Sequence, residues 1–209
     1  MKRADSFEEK EIRRKQIQDC LDNLLKVMPY SQITFTKLAE QLGWSRGNIY
    51  RYYRTMDEII YELYANQTTE IVNALADCIE RNQYESDDVL ASKMADVLIF
   101  NVDGMIYLNI HSLVSRLNIG EDINYSHEEQ MNLAGSKINK LMCDRFDLTD
   151  KEAMSVFNGI WYHYLGFVPI INRVKSGIAD QVISYYDNIK SIHNAISDNI
   201  LANFLYFSK

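Results

Sequence analysis

The sequence predicts an all-α chain, on three observations. Only two prolines and eight glycines occur in 209 residues, too few breakers for a chain of many short strands and turns. Leu, Ile, Ala, Glu, Gln, Asn and Lys are plentiful, a composition that suits long helices. Apolar side chains also recur at three- and four-residue spacing over long stretches, the period of an amphipathic helix. The length allows one mid-sized domain, or a small module fused to a larger one, with a substantial core.

In chain order, Ile17, Leu21, Leu24 and Met28 mark one face of a first helix that is expected to end at Pro29. Arg13, Arg14 and Lys15 precede that stripe and are expected in solvent. Thr34 is suited to cap a second, short helix with Leu38, Ala39 and Leu42 inward. Gly43 follows it, where a left-handed backbone is cheap. Ser45 then caps a third helix running to about Tyr53. Thr55-Met-Asp-Glu58 has the form of a capping box. It opens a long helix carrying Ile60, Leu63, Tyr64, Gln67, Ile71, Leu75, Cys78 and Ile79 along one side.

Beyond a polar break, helices are expected over Val89–Phe100 and Met105–Leu117, separated at Asp103-Gly104. A polar connection, "NIGEDINYS", leads to a helix from about His127 to Arg145. Residues Lys151–Val174 are apolar on nearly every side, the mark of a helix buried among neighbours, with a kink or interruption at Pro169. A final stripe over Ala179–Tyr206 includes Val182, Tyr186, Ile192, Ile196, Ile200 and Phe204. These two segments display more apolar surface than one small domain covers, which points to a homodimer built from the last two helices.

Charge is distributed unevenly along this chain of net charge -7. Residues 1–56 carry 11 Lys and Arg against 7 Asp and Glu, whereas residues 57–209 carry 11 against 22. A basic head therefore precedes an acidic body, with the division drawn at residues 1–54 and 55–209. Three widely spaced cysteines suggest neither a disulfide framework nor zinc. No apolar run reaches the length of a membrane span and no secretion signal is evident, so a soluble, cytoplasmic protein is expected.

The head has the ingredients of a helix-turn-helix: small Ala39 at the helix contact, Gly43 at the turn, and Leu38, Leu42, Trp44 and Ile49 for the core. With Ile49 and Tyr53 turned inward, Arg46, Gly47, Asn48, Tyr50, Arg51 and Arg54 remain on the outer face of the third helix. Arginine binds guanine edges or phosphates, asparagine reads adenine, and a tyrosine hydroxyl donates to phosphate. Gly47 leaves room for close backbone approach.

The stretch "ITFTKLAEQLGWSRGNIYRYYRTMDEII", Ile33 to Ile60, resembles the signature of the TetR (tetracycline-repressor-like) family of transcription regulators. The likeness covers the first quarter to third of the chain. It implies a homodimer that binds a palindromic operator in double-stranded DNA and releases it when a small-molecule effector enters the C-terminal domain. By position, the DNA-facing set would be Thr36, Ser45, Arg46, Asn48, Tyr50, Arg51, Tyr52 and Arg54, with Lys37 and Gly47 beside them. Trp44 stands where a small aliphatic is usual, Tyr53 where phenylalanine is usual, and Met56 where a lysine often meets phosphate.

Elsewhere, His111, His127, His163 and His193 lack metal-ligand spacing, and neither a nucleophile elbow nor a Gly-rich phosphate loop occurs. No metal, cofactor or catalytic residue is therefore predicted. Asn101, Tyr107 and His111 on one segment, and Asn158, Trp161 and Tyr162 on another, mix aromatic and polar groups as a ligand cavity does, and equally as a core or dimer seam does. An effector held there would be apolar or aromatic with a hydrogen-bonding end. Two other readings stay open: an activator or architectural regulator without an inducer, and a helical binding protein or enzyme whose hairpin is incidental.

Overall fold

The computed structural model describes residues 7–101, 119, 121–175 and 188–207, with backbone alone for 121–126. Among these residues there are eight α-helices, one short 3-10 turn and no strand. Residues 7–66, 119 and 121–128 belong to one compact unit, and residues 67–101, 129–175 and 188–207 to a second.

In the first unit, α1 spans Phe7–Leu25 and buries Ile17, Leu21 and Leu24 as their spacing predicts. It stops short of Pro29. The Val27 and Met28 amides both turn back to the Leu24 carbonyl, because the residue before a proline is driven from the helical region. Pro29 instead precedes the 3-10 turn Tyr30–Gln32. Arg14 does not stay in solvent. It lies three and four residues before buried Ile17 and Gln18, so it shares their face.

Helix α2, Phe35–Leu42, and helix α3, Arg46–Tyr50, are the pair expected around Gly43. The third helix ends at Tyr50 rather than near Tyr53. Residues 51–53 continue as a turn in which the Tyr52 and Tyr53 amides still reach the Ile49 carbonyl. Helix α4, Met56–Arg81, begins at the predicted capping box: the Glu58 amide donates to Thr55 Oγ1 at 3.2 Å. Glu58 Oε2 accepts from the Arg54 amide at 2.6 Å, one residue before the cap. Ile17, Leu21, Leu38, Ile49, Ile59 and Ile60, with Tyr53, form the core of this unit. At about 25 cal/mol per Å² of apolar surface removed from water, such burial is the main stabilising term.

The second unit holds the remainder of α4 with α5, Asp87–Phe100. Helix α6 spans Glu121–Phe146. It starts six residues before the predicted His127, so part of the supposed polar connection is helical. An acidic pair, Glu121-Asp122, suits a helix N-terminus, and polarity alone conceals it. Lys137 Nζ pairs with Asp77 at 2.7 Å, and Arg145 Nη2 with Asp87 at 2.9 Å, tying α6 to α4 and to the start of α5.

Helix α7, Asp150–Lys175, runs through Pro169 without interruption. Nor is it buried on all sides. Ala153, Val156, Ile160, Trp161, Tyr164 and Val168 face inward, while Met154 and Tyr162 are 56% and 69% exposed. Helix α8, Ile189–Phe207, packs against both α5 and α7 and buries Ile192, Ile196, Ile200 and Phe204. At its crossing with α7, a Cβ on Gly159 would overlap the Asn203 side chain, so glycine permits the approach. The helix expected at 105–117, and the first part of the stripe expected over 179–206, lie outside the described residues.

Candidate nucleic-acid interface

Local chemistry fixes the two short helices of the head. Thr34 Oγ1 accepts from the Lys37 amide at 3.2 Å and caps α2, and Ser45 Oγ accepts from the Asn48 amide at 3.3 Å and caps α3. Between them Gly43 has φ 66°, and the Trp44 amide returns to the Ala39 carbonyl at 2.8 Å. A residue with a Cβ would be strained there. Leu38, Ala39, Ile49 and Tyr53 are buried and Leu42 and Trp44 pack at the edge, so the opposite side of α3 must face outward.

That outward side carries the predicted residues. Thr36, Ser45, Arg46, Gly47, Tyr50, Arg51 and Arg54 are exposed, and Lys37, Asn48 and Tyr52 are half-buried. Arg46 lies one helical turn from Tyr50, its Nη2 3.3 Å from the phenol oxygen. The Tyr50 ring meets Phe35 edge to face at 4.7 Å, leaving the side chain 47% exposed. Lys37 Nζ is 3.9 Å from Glu40, a surface pair that salt and solvent keep weak. At Gly47 a Cβ would meet only Ser45 Oγ, at 3.9 Å. The protein's own packing therefore leaves space at that position.

Three arginines, a lysine, an asparagine and two tyrosines thus share a surface borne on a capped helix pair. Such a surface can neutralise phosphates and present donors to base edges. Arg13 adds a cation nearby, its guanidinium 5.0 Å from the Trp44 ring. Beneath the surface lies a polar group that sequence reasoning missed. The buried Glu62 carboxylate binds Arg14 and the Tyr53 hydroxyl and accepts from Gln18 Nε2 at 2.9 Å. Burial raises the Tyr53 phenol to about 12, against the opposing effects of Arg14 and Gln18. A tyrosine at an inward position, four residues after Ile49, was the available signal, since a buried hydroxyl requires a partner.

The second unit contains a cavity of about 330 Å³ between α6 and α7, lined by Met131, Asn132, Asn139, Phe157 and Asn158 among others. Of the predicted ligand set, Asn158 lines this cavity. Trp161 is buried and stacks 6.0 Å from Phe157, Tyr162 faces outward, and Asn101 ends α5 with its amide on the Val97 carbonyl at 2.7 Å. Tyr107 and His111 lie outside the described residues. His163 is half-buried, its pKa lowered from the usual imidazole range by desolvation, and its ring lies tilted against Phe167 at 4.9 Å. His193 Nε2 lies 3.1 Å from Asp96. No cluster of metal-ligating residues occurs among the described residues, and no described helix is long and apolar enough to cross a membrane.

A capped helix-turn-helix in one unit and a larger helical second unit define the architecture: an all-α helix-turn-helix protein. More narrowly, the fold is that of TetR-family regulators. The TetR-family repressor AlkX of a Dietzia species, implicated in biodegradation of n-alkanes, matches at a TM-score of 0.58 and 12% identity, over 94% of this chain and 97% of that one. A TetR transcriptional regulator from a Rhodococcus species matches at 0.56 and 13%, over 93% and 97%. Thermus thermophilus FadR, a TetR-family repressor bound to lauroyl-CoA, matches at 0.52 and 14%, over 91% and 90%. No protein-family model and no curated protein sequence matches the chain.

Proposed function

We propose that the chain is a TetR-type transcriptional repressor that binds a palindromic operator as a homodimer and is released by a small-molecule effector. In this reading residues 1–54 are the DNA-binding head and residues 55–209 the effector-binding and dimerising body. The observation that carries it is the exposed surface of α3 and the turn after it, where Arg46, Tyr50, Arg51 and Arg54 remain exposed and Gly47 leaves open space. An incidental hairpin has no reason to place a space-leaving glycine among those cations.

Homodimerisation through α7 and α8 is supported by apolar side chains left exposed on both, Met154, Tyr162, Leu205 and Tyr206. Two recognition helices must stand about 34–36 Å apart to enter successive major grooves. An effector favouring another spacing by ~1–3 kcal/mol weakens binding about 5- to 150-fold. The cavity between α6 and α7 has a lining without charged residues. It suits an apolar or aromatic molecule with a hydrogen-bonding end.

The test is selection of bound duplexes from fragments of the source genome and from random sequence, with Arg46→Ala in parallel. Recovery of a palindromic site whose preference relaxes with Arg46→Ala supports the reading. Equal, weak binding to every sequence contradicts it, and operator binding that no effector releases favours an activator or architectural regulator.

A further inference from the structure

Polar side chains from α1, from the turn after α3 and from α6 converge on Glu62 of α4. Arg14 on α1 bonds the Glu62 carboxylate, reaches the Tyr52 carbonyl at 3.3 Å, and holds its guanidinium 4.6 Å from the Tyr53 ring. Tyr53, three residues past the end of α3, donates its hydroxyl to the same carboxylate. Gln18 bonds Tyr53 at 2.8 Å and Glu62 at 2.9 Å, and Asn66 Nδ2 holds Gln18 at 3.0 Å. From α6, His127 Nε2 approaches Glu62 Oε1 at 3.1 Å. The turn that ends the recognition helix is therefore held by one buried carboxylate. An apolar side chain at position 53 would fill the same space without this connection.

We propose that Glu62 is the positioning residue of the recognition helix, acting through Tyr53, and that neutral His127 keeps this latch closed, so that protonation of His127 loosens the DNA-binding head. The proposal rests on the DNA-binding reading above. Two geometric facts make the latch sensitive to a proton. Arg14 already pairs with the Glu62 carboxylate, so a proton on His127 would set a second cation beside that pair, offset only in part by Glu11. The His127 Nδ1 atom is buried and has no partner among the described residues. In the neutral ring Nε2–H donates to Glu62 and Nδ1 is a bare lone pair; in the cation Nδ1 becomes a buried donor with nothing to receive it.

Among the described residues, the titratable and charged groups facing His127 are Arg14 and Glu11 on α1 and Tyr61 and Glu62 on α4, with Tyr53 reaching the same Glu62 carboxylate from beyond α3. Desolvation and then Arg14 lower its pKa, against the weaker pull of Glu11. A depressed folded-state pKa means that the latch is intact above the ordinary histidine value of about 6.5 and is lost as pH falls through the lower folded value.

The experiment follows operator affinity and amide hydrogen exchange of residues 46–53 in the free protein, at about pH 7.5 and about pH 5.5. Wild type is compared with Tyr53→Phe, Glu62→Gln and His127→Gln, using a duplex selected by wild type. Glutamine at 127 keeps a donor that does not titrate. Wild type should lose affinity and protection at the lower pH, and His127→Gln should keep both. Tyr53→Phe and Glu62→Gln should raise exchange at 46–53 and weaken operator binding at least about fivefold at the higher pH. Wild-type pH dependence retained by His127→Gln, or Tyr53→Phe indistinguishable from wild type, overturns the latch. Exchange that responds as described in a chain binding no duplex overturns the DNA reading and leaves the positioning of residues 46–53 by Glu62 supported.

Discussion

Gly47 has space around it that its own protein does not use, since an added methyl would touch only Ser45 Oγ at 3.9 Å. Replacing a helical glycine by alanine stabilises the fold by about 0.5–1 kcal/mol where nothing clashes. Gly47→Ala is therefore expected to unfold at equal or higher urea concentration while binding the operator more weakly. Unchanged affinity would remove close backbone approach from the account. Arg46→Ala should cost ~1–3 kcal/mol of operator affinity and relax preference at one position per half-site, which a comparison of selected sequences measures. Residues whose chemistry is local were legible in the sequence, as Ser45 and Thr34 show. Arg14 and Glu62 were not, because their partners are 48 residues apart and no periodicity records such a pairing.

At the scale of elements, the turn between α2 and α3 depends on the left-handed backbone of Gly43. Gly43→Ala should destabilise the head by about 1–2 kcal/mol, the cost of a side chain in that region, measured by urea unfolding of the full chain. No loss would mean that the turn relaxes to another form. Caps and turns at 34, 43, 45 and 55 were readable because a hydroxyl or a glycine acts within three or four residues. A further capping box, Thr149 with Glu152, has the same signature; its amide and carboxylate meet at 3.0 Å. The early start of α6 and the uninterrupted passage of α7 through Pro169 were not readable. Polarity hid the first, although Glu121 and Asp122 suit a helix N-terminus, and in the second the burial of Val156, Ile160, Tyr164 and Val168 outweighs a strong breaker.

For the whole molecule, the proposed function divides two tasks between the basic head and the acidic body, attraction to DNA and effector-linked assembly. Exposed Tyr162 on α7 lies on the surface proposed to join two copies, so Tyr162→Glu should shift the chain toward monomer in sedimentation velocity and weaken operator binding with it. An unaltered dimer would move the interface elsewhere. The central claim, that the exposed face of α3 meets the duplex, is tested most directly by the salt dependence of operator binding. If Lys37, Arg46, Arg51 and Arg54 of two subunits supply some 6–8 contacts, log affinity should fall against log salt with a slope of about -5 to -7. A slope near zero would contradict the account.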